Sequence, residues 1–416
     1  MILRLAMGSL TARALTVGMT ILAIAVSVAL FLGVEKVRTG AKASFANTIS
    51  GTDLIVGARS GSVQLLLYSI FRIGNATNNL TWESYQNIAA HKDVDWIVPI
   101  SLGDSHRQFR VMGTTPNFFD RYKYRSGQSL VIQDGELLDD LFDTVIGADV
   151  AATLGYEIGD PIVVAHGIAS FMEHQDQPFS VSGILMKTGT PVDRTVVVSL
   201  EAIEAIHVDW QSGAQIPGQV TPADSLRQME LKPKAITAAL LGTKSRLKVF
   251  ALQRSINEYP EEPLIAILPG VALQELWQIV GIAEKSLIGV SIMVVVTAFI
   301  GMVATILSSL SERRREMAIF RAMGARPRTI VTLLLLEAIL MAGIGACLGM
   351  VLLYLGLFAG QPLIDRSFGL WLPIEPPTIR EVKLLLSIVI TGALVSIFPA
   401  IRAYRMSLAD GMIARI

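Results

Sequence analysis

Histidine and carboxylate side chains are the groups in this sequence that could bind a metal ion or move a proton. Two histidines four residues apart on a helix would indicate a zinc site, but no two histidines have that spacing. The stretch MEHQDQ (172–177) could bind a metal, although stretches of this kind are more often solvated loops. We therefore expect no metal site. The five histidines are His91, His106, His166, His174 and His207.

A phosphate-binding loop is also missing from the sequence. Lys244 and Ser245 give the nearest match to G-x-x-x-x-G-K-[ST], but Ala238 and Thr243 stand where both glycines should be. The single cysteine, Cys347, lies in an apolar stretch and can form neither an intrachain disulfide nor a Cys-based zinc site. We expect this chain to hold no cofactor of its own.

The composition indicates a membrane protein. Hydrophobic residues make up 52% of the 416 residues and charged residues only 17%, against about 25% charged residues in soluble domains. A net charge of zero argues against a nucleic-acid partner. Four stretches have the length of about 20 apolar residues that a helix needs to cross a bilayer. They are residues 14–34, 286–311, 329–358 and 384–402.

The distribution of arginines predicts the orientation of these spans. The connection between the second and third spans contains six arginines and two glutamates, whereas the connection after the third has equal numbers of basic and acidic residues. Cytoplasmic connections carry the excess of Lys and Arg, so the arginine-rich connection and both termini are predicted to be cytoplasmic. The first span could also be a signal peptide, but its uncharged run is long and no clear cleavage site follows, so we expect it to be retained.

Residues 35–285 are then extracytoplasmic and are predicted to form an α+β domain. Strand-like runs such as TDLIVGA (52–58) and TVVVSL (195–200) alternate with helical stretches such as WESYQNIAAH (82–91). Helical patterns after the first span and before the second predict two stalk helices. The fold class is therefore an α-helical membrane protein with four transmembrane helices and a large α+β extracytoplasmic domain inserted between helices 1 and 2.

The stretch SERRREMAIFRAMGA (311–325) lies between the second and third spans and is too short and too charged to cross the membrane. Two interpretations of this amphipathic pattern are open. It could be an interfacial helix whose arginines bind lipid phosphates, or a docking helix whose apolar residues fill a groove on a soluble partner. Its candidate residues are Glu312, Arg313, Arg314, Arg315, Glu316, Met317, Phe320, Arg321, Met323 and Gly324.

Two features inside the predicted spans are further candidates. Glu337 lies about two turns inside the third span; it could belong to a proton relay, but we expect it to pair with a basic group near the cytoplasmic boundary. The small residues of Gly345-x-x-x-Gly349 and Ala25-x-x-x-Ala29 permit helices to approach closely. The sequence leaves open whether that approach occurs within one subunit or across a dimer.

Residues 311–350, SERRREMAIFRAMGARPRTIVTLLLLEAILMAGIGACLGM, resemble the signature of the MacB/FtsX/LolC permeases of ABC transporters. In that family an E-x-x-x-x-x-A-x-G-A coupling helix precedes a span that bears a glutamate. GTTPNFFD (113–120) and VIGADVAATLGYEIGDPIVV (145–164) resemble the family's periplasmic core domain, and FPAIRAYRMSLADGM (398–412) resembles its C-terminal ending. Ala318 is one departure, because many members have glycine there.

The resemblance implies a permease half that forms a homodimer or pairs with a paralogue in the bacterial inner membrane. A separate cytoplasmic ABC ATPase would bind the coupling helix and supply the sites for ATP and Mg²⁺, since only thirteen residues precede the first span. Closure of the ATPase would move the external domains through the stalks, a mechanism called mechanotransmission. The substrate would be a peptide, lipid, lipoprotein or drug, and further partners would be membrane lipid and a periplasmic adaptor or substrate-delivery protein.

Two alternatives come from other functional classes. An FtsX-like member would transmit a signal that regulates a periplasmic hydrolase, but the size of residues 35–285 resembles the MacB-type domain more than the smaller FtsX-type domains. A membrane-tethered enzyme is disfavoured, because the external domain shows no recognisable nucleophile–base pairing or metal spacing. We therefore expect a non-catalytic transporter permease.

The resemblance also implies an order of segments along the chain. The segments are 1–34, N-terminal segment and first transmembrane helix; 35–285, periplasmic core domain with stalk helices; 286–311, second transmembrane helix; 312–328, cytoplasmic coupling helix; 329–358, third transmembrane helix; 359–383, periplasmic loop; 384–402, fourth transmembrane helix; and 403–416, cytoplasmic tail.

Single cysteines can test the predicted orientation. In a Cys347→Ser background, a cysteine at Ser170 should react with a membrane-impermeant thiol reagent in intact spheroplasts, because residue 170 is predicted to lie outside. Cysteines at Ser311 or Thr329 should react only after the membrane is opened. Equal labelling of both classes in intact spheroplasts would show that the orientation is wrong.

Overall fold

The computed structural model of the chain describes residues 2–125, 127–167, 179–211, 214–216, 219–312, 326–368, 374 and 376–405. The chain divides into two compact units. The membrane unit comprises residues 1–40, 281–362 and 372–416, and the sheet unit comprises residues 41–280 and 363–371.

Thirteen α-helices lie in the described residues, with short 3₁₀ helices at Pro191–Arg194 and Arg246–Lys248. In chain order the α-helices are α1 Ile2–Thr11, α2 Ala14–Thr48, α3 Ser62–Ser69, α4 Trp82–Ala89, α5 Asn117–Arg121, α6 Ala148–Leu154, α7 Leu200–His207, α8 Ala223–Gln228, α9 Val249–Asn257, α10 Pro269–Glu312, α11 Pro327–Phe368, α12 Ile379–Val395 and α13 Ile397–Arg405.

Four helical segments of the described chain are long and apolar enough to cross a membrane, which confirms the predicted number of spans. Two of these helices, α10 and α11, begin with a proline, which suits the first helical position because its missing N–H would have no partner there. The four segments are Ala14–Thr48, Pro269–Leu310, Arg328–Gln361 and Ile379–Arg405.

Helix α12 begins before the predicted start of the fourth span, and a break follows it. Thr378 caps α12 with a capping box, in which its side chain accepts from the Glu381 N–H and its own N–H donates to the Glu381 carboxylate. The break at Ser396 separates α12 from α13. Its cause is Pro399, which has no N–H for the Val395 carbonyl and whose ring crowds that group.

Helix α11 continues beyond the predicted end of the third span. Helix α11 extends to Phe368, whereas we expected the span to end near residue 358 and to be followed by a loop over 359–383. Hydropathy shows where a helix leaves the hydrocarbon, but a helix can continue beyond that point in water.

The sheet unit is built around a ten-stranded mixed sheet, which confirms the predicted α+β class. Its strand order is β16-β1-β15-β3-β4-β11-β8-β10-β7, with β9 paired to β10. The described strands are β1 Leu54–Ala58, β2 Leu80–Thr81, β3 Val94–His106, β4 Phe109–Thr114, β5 Lys123–Tyr124, β6 Gln128–Ser129, β7 Ile132–Gly135, β8 Asp143–Ile146, β9 Pro161–Ile162, β10 Phe179–Leu185, β11 Thr195–Ser199, β12 Trp210–Gln211, β13 Ala214–Gln215, β14 Ala235–Ile236, β15 Ala238–Thr243 and β16 Leu264–Ile267.

Side-chain alternation in the strands places hydrophobic clusters on opposite faces of the sheet. In β1, Ile55 belongs to one cluster and Leu54 and Val56 to another, because successive side chains of a strand point to opposite sides. All five residues of β1 are buried as a result. The unit β15-α9-β16 encloses β1, since β15 and β16 both pair antiparallel with it.

Candidate coupling site in the membrane unit

Helix α2 packs closely against α11 through two glycines. A Cβ atom on Gly345 would lie 2.7 Å from Ile24 Cγ2, and one on Gly349 would lie 2.6 Å from the Ala25 carbonyl oxygen and 2.7 Å from Val28 Cβ. Any side chain larger than hydrogen would therefore separate the two helices. Within the bilayer, close packing of this kind is a main source of attraction between helices.

These contacts decide a question that the sequence left open. The small residues of the two motifs meet within a single chain, since Gly349 lies against Ala25. Ala25 is fully buried, whereas Ala29 is half-buried. The motifs are therefore used to assemble one subunit.

The other helices of the membrane unit meet through small and polar residues. The hydroxyls of Thr20 on α2 and Thr305 on α10 lie 2.9 Å apart and share a hydrogen bond. Gly392 on α12 faces α11 and α10, because a Cβ there would lie 2.9 Å from Ala342 Cβ and 3.2 Å from Phe299 Cε1. Helices α10 and α11 thus each contact both α2 and α12.

One turn of α2 carries three charged residues that reach the other three spans. Lys36 donates a hydrogen bond to the Tyr354 hydroxyl of α11 over 3.1 Å, and its Nζ lies 3.3 Å from Glu381 Oε1 of α12. The side chains of Lys36 and Glu381 are only 10% and 8% exposed. This ion pair is therefore buried where the apolar parts of the helices end.

Arg38 and Glu35 form the second half of the same cluster. Arg38 donates from Nε and Nη2 to the two oxygens of Glu35, each over 2.9 Å, and from Nη1 to Glu284 of α10. Glu35 Oε1 also lies 2.8 Å from Arg380 Nη2 of α12. We call these residues the span-end charge cluster; its members are Glu35, Lys36, Arg38, Glu284, Tyr354, Arg380 and Glu381.

The span-end charge cluster contains three acidic and three basic side chains. Its net charge is therefore zero, and each charge can pair with an opposite one. Truncating one partner of a buried ion pair typically costs about 3–5 kcal/mol, because the other charge is left uncompensated. The cluster therefore couples the position of α2 to the positions of α10, α11 and α12. The sequence alone does not show this cluster, because its residues come from distant parts of the chain.

The other residues singled out from the sequence have different outcomes. Glu337 is buried, with 3% of its surface exposed, and the expectation that it pairs with a basic group stays a prediction. Glu312 is the last residue of α10. The remaining coupling residues lie outside the described residues: Arg313, Arg314, Arg315, Glu316, Met317, Phe320, Arg321, Met323 and Gly324.

Two family models match the chain. The model of the MacB-like periplasmic core domain matches residues 17–232, just over half of the chain, and the model of the FtsX-like permease C-terminal domain matches residues 288–408. The first match covers most of the sheet unit and the second covers the last three spans.

The chain is also similar to curated proteins. It is 24% identical over 238 residues to the macrolide export ATP-binding/permease protein MacB of Campylobacter jejuni, covering 56% of this chain and 33% of that protein. It is 24% identical over 287 residues to MacB 1 of Yersinia pestis bv. Antiqua, covering 59% of this chain and 43% of that protein. The chain thus spans a third to less than half of the length of these relatives.

Two solved structures resemble part of the chain. The periplasmic region of MacB from Actinobacillus actinomycetemcomitans aligns with a TM-score of 0.35 and 11% identity, over 55% of this chain and 94% of that one. The extracellular domain of the transporter YknZ from Gram-positive bacteria aligns with a TM-score of 0.30 and 13% identity, over 52% of this chain and 99% of that one.

The glycine contact can be tested by adding one methyl group. Gly349→Ala should destabilise the membrane unit by about 1–3 kcal/mol, because the added Cβ would meet the backbone oxygen of Ala25. Gly356→Ala is the matched control, since no described atom lies within 4 Å of a Cβ at that position. Thermal unfolding in detergent should show a lower midpoint for Gly349→Ala only. Equal midpoints for both variants would contradict the close contact.

The buried ion pair can be tested with a charge-matched double variant. Lys36→Met should lower the stability of the detergent-purified chain by about 3–5 kcal/mol, because Glu381 loses its partner. Adding Glu381→Gln should recover much of that loss, since glutamine keeps an acceptor for the Thr378 N–H but carries no charge. Arg380→Gln is the control, with an effect of at most about 1 kcal/mol because this arginine is 64% exposed. Equal effects of Lys36→Met and Arg380→Gln would show that burial of the pair is unimportant.

Proposed function

This chain belongs to the MacB/FtsX-type permeases of ABC transporters, and from that membership we propose that it couples ATP hydrolysis by a separate ATPase to movement of its sheet unit. The chain itself is a multi-pass membrane protein with no catalytic role in this proposal. The sheet unit corresponds to the MacB-like periplasmic core domain. Its place is then the periplasm of a bacterial cell, with the spans in the inner membrane.

The span-end charge cluster is the observation that carries the proposal. Helices α2 and α10 each continue without a break from residues of the membrane unit into residues of the sheet unit. Arg38 joins these two helices through Glu284, and Lys36 joins α2 to α11 and α12. A displacement of α10 would therefore be shared with α2. Such sharing supports mechanotransmission, in which the spans move as a set.

The ATPase would dock on residues 311–325, a segment that begins with the last two residues of α10 and continues beyond it along the chain. Closure of the ATPase around ATP would then displace the end of α10. Nucleotide can shift the permease only by its different affinity for two arrangements of these helices. The proposal therefore requires that the span-end charge cluster stay paired in both arrangements or exchange partners between them.

The active assembly would contain two permease copies, or one copy and a paralogue, together with the ATPase. The named relatives are macrolide export ATP-binding/permease proteins. In our proposal ATP binds to a separate ATPase subunit that docks on this chain. We propose that the complex exports or extracts a periplasmic or membrane substrate such as a peptide, lipid, lipoprotein or drug, with a periplasmic adaptor as a further partner.

An FtsX-like role in regulating a periplasmic hydrolase is the second candidate. The match of residues 288–408 to the FtsX-like permease domain suits both roles, because it concerns the spans alone. The match of residues 17–232 to the MacB-like core domain favours transport. Proteins that copurify with the chain from native membranes would distinguish the two, since only the second role requires a hydrolase.

Docking of the ATPase can be separated from lipid anchoring by two double variants. Phe320→Ala with Met323→Ala should abolish copurification of the ATPase, because a few buried apolar anchors dominate such interfaces and each costs about 2 kcal/mol or more when truncated. Arg313→Gln with Arg314→Gln should weaken docking much less, since charges at the rim of an interface contribute little.

The measurement is the amount of ATPase retained with each variant across a series of salt concentrations. Membrane insertion and thermal unfolding of the chain serve as controls and should be the same for both variants. Full retention of the ATPase by the Phe320/Met323 variant would remove the docking role of this segment. Loss of the ATPase with the arginine variant alone would support lipid anchoring instead.

A further inference from the structure

Three side chains that are far apart in the sequence meet in the sheet unit. Asp104 is on β3, His166 follows β9, and His207 is the last residue of α7. Their potential ligand atoms all lie within 4.8 Å of one another. We propose that these three residues, the Asp-His-His cluster, bind a divalent transition-metal ion of the Zn²⁺ class.

The distances within the Asp-His-His cluster agree with tetrahedral coordination. His166 Nδ1 lies 3.0 Å from His207 Nε2, and Asp104 Oδ1 lies 3.4 Å from the first nitrogen and 3.8 Å from the second. With metal–ligand bonds of about 2.0–2.1 Å, a tetrahedral zinc ion holds its ligand atoms about 3.3 Å apart. Small movements of Asp104 and of the two imidazole rings would therefore complete the geometry.

The buried carboxylate is a second and independent sign of a cation site. The Asp104 side chain is 4% exposed. Among the residues that the structure describes, none donates a hydrogen bond of good geometry to Oδ1. A buried carboxylate oxygen without a hydrogen-bond donor is costly, because burial removes its hydration, and the ring nitrogens at 3.4 and 3.8 Å compensate this only in part. A metal ion would compensate it directly.

The backbone holds Asp104 and His166 side by side. Ser105 N donates to the Ala165 carbonyl over 2.9 Å, and Ala165 N donates to the Ser105 carbonyl over 2.7 Å. This antiparallel bridge joins β3 to the segment that carries His166. Because each ligand is adjacent to the bridge, their relative positions are set before any metal binds, which lowers the cost of binding.

Helix α7 fixes the tautomer of His207. Its Nδ1 lies 2.6 Å from the Ile203 carbonyl oxygen, one turn earlier in the helix. A carbonyl only accepts, so Nδ1 carries a proton, and Nε2 is the ring nitrogen that faces Asp104 and His166. A backbone carbonyl on the second nitrogen is the usual arrangement for a zinc-bound histidine.

A metal-free hydrogen-bonded cluster is the competing explanation, and it accounts for less. His166 Nδ1 could donate to His207 Nε2, which would satisfy both rings. If His166 is protonated instead, its Nδ1 can pair with Asp104 Oδ1 over 3.4 Å, which is longer than a normal N–H···O hydrogen bond. A bound metal ion would explain why the potential ligand atoms of all three residues lie so close together. Imidazole and carboxylate ligands together favour Zn²⁺ over Mg²⁺ or Ca²⁺, which prefer oxygen alone.

The Asp-His-His cluster is also partly open to solvent. The side chains of His166 and His207 are 39% and 27% exposed, so an ion can enter from the surface. Three protein ligands leave a fourth position of the tetrahedron for water or another donor. His106 is not part of the set, because its ring nitrogens already contact the Val163 carbonyl and the Tyr156 hydroxyl over 2.6 and 2.9 Å.

Equilibrium dialysis of the full chain against Zn²⁺ tests the proposal. The chain is purified in detergent through a tag without histidine, stripped with a chelator, and its bound metal is counted by mass spectrometry. One Zn²⁺ per chain is expected, and His166→Gln should weaken its affinity by at least about 100-fold, as even second-shell changes can cost 10–100-fold. His91→Gln, which changes a histidine outside the cluster, should bind as the wild type does.

Asp104→Asn distinguishes a ligand from a structural residue. This substitution should abolish Zn²⁺ binding. In the presence of a chelator, the thermal unfolding midpoint of the variant should equal or exceed that of the wild type, because the substitution removes a buried negative charge. Zn²⁺ should raise the midpoint of the wild type and not of this variant. The proposal is overturned if the wild type binds no stoichiometric Zn²⁺, or if His166→Gln and Asp104→Asn bind it as tightly as the wild type.

Discussion

Charged side chains that are buried where the apolar helices end need partners of opposite charge, and their pairing links the helices of the membrane unit. Within the hydrocarbon the spans gain little from hydrophobic attraction, because lipid is as apolar as their side chains. Close contacts at Gly345, Gly349 and Gly392 bring the helices together, and the span-end charge cluster determines which helix ends meet. Helix α2 is central to both kinds of contact. Its position therefore depends on all three other spans.

The spans and the class of the external domain could be predicted from the sequence, since both follow from local patterns. About 20 apolar residues identify a span, and β1, β11 and α4 fall within runs chosen by residue type alone. The helix ends differ from the ends of the predicted spans. The break at Ser396 comes from Pro399, one turn further along, and the extension of α11 to Phe368 lies beyond the hydropathy signal.

Contacts between distant residues could not be predicted, because the sequence does not show which charges meet. Glu35 and Glu284 are separated by the whole sheet unit along the chain, yet Arg38 bonds both. The same holds for Asp104, His166 and His207, which lack the short spacing of known zinc motifs. The glycine motif was recognised, but its partner helix became known only from the fold.

A spin label on Leu247 would show most directly whether nucleotide moves the sheet unit. This residue is 91% exposed in the sheet unit, so a label there should not disturb packing. In a Cys347→Ser background, pulsed dipolar spectroscopy would measure the distance between the labels of two permease copies in the assembled complex. Mechanotransmission predicts different distance distributions in the nucleotide-free and ATP-trapped complexes. The same distribution in both states, with ATP shown to be bound, would contradict it.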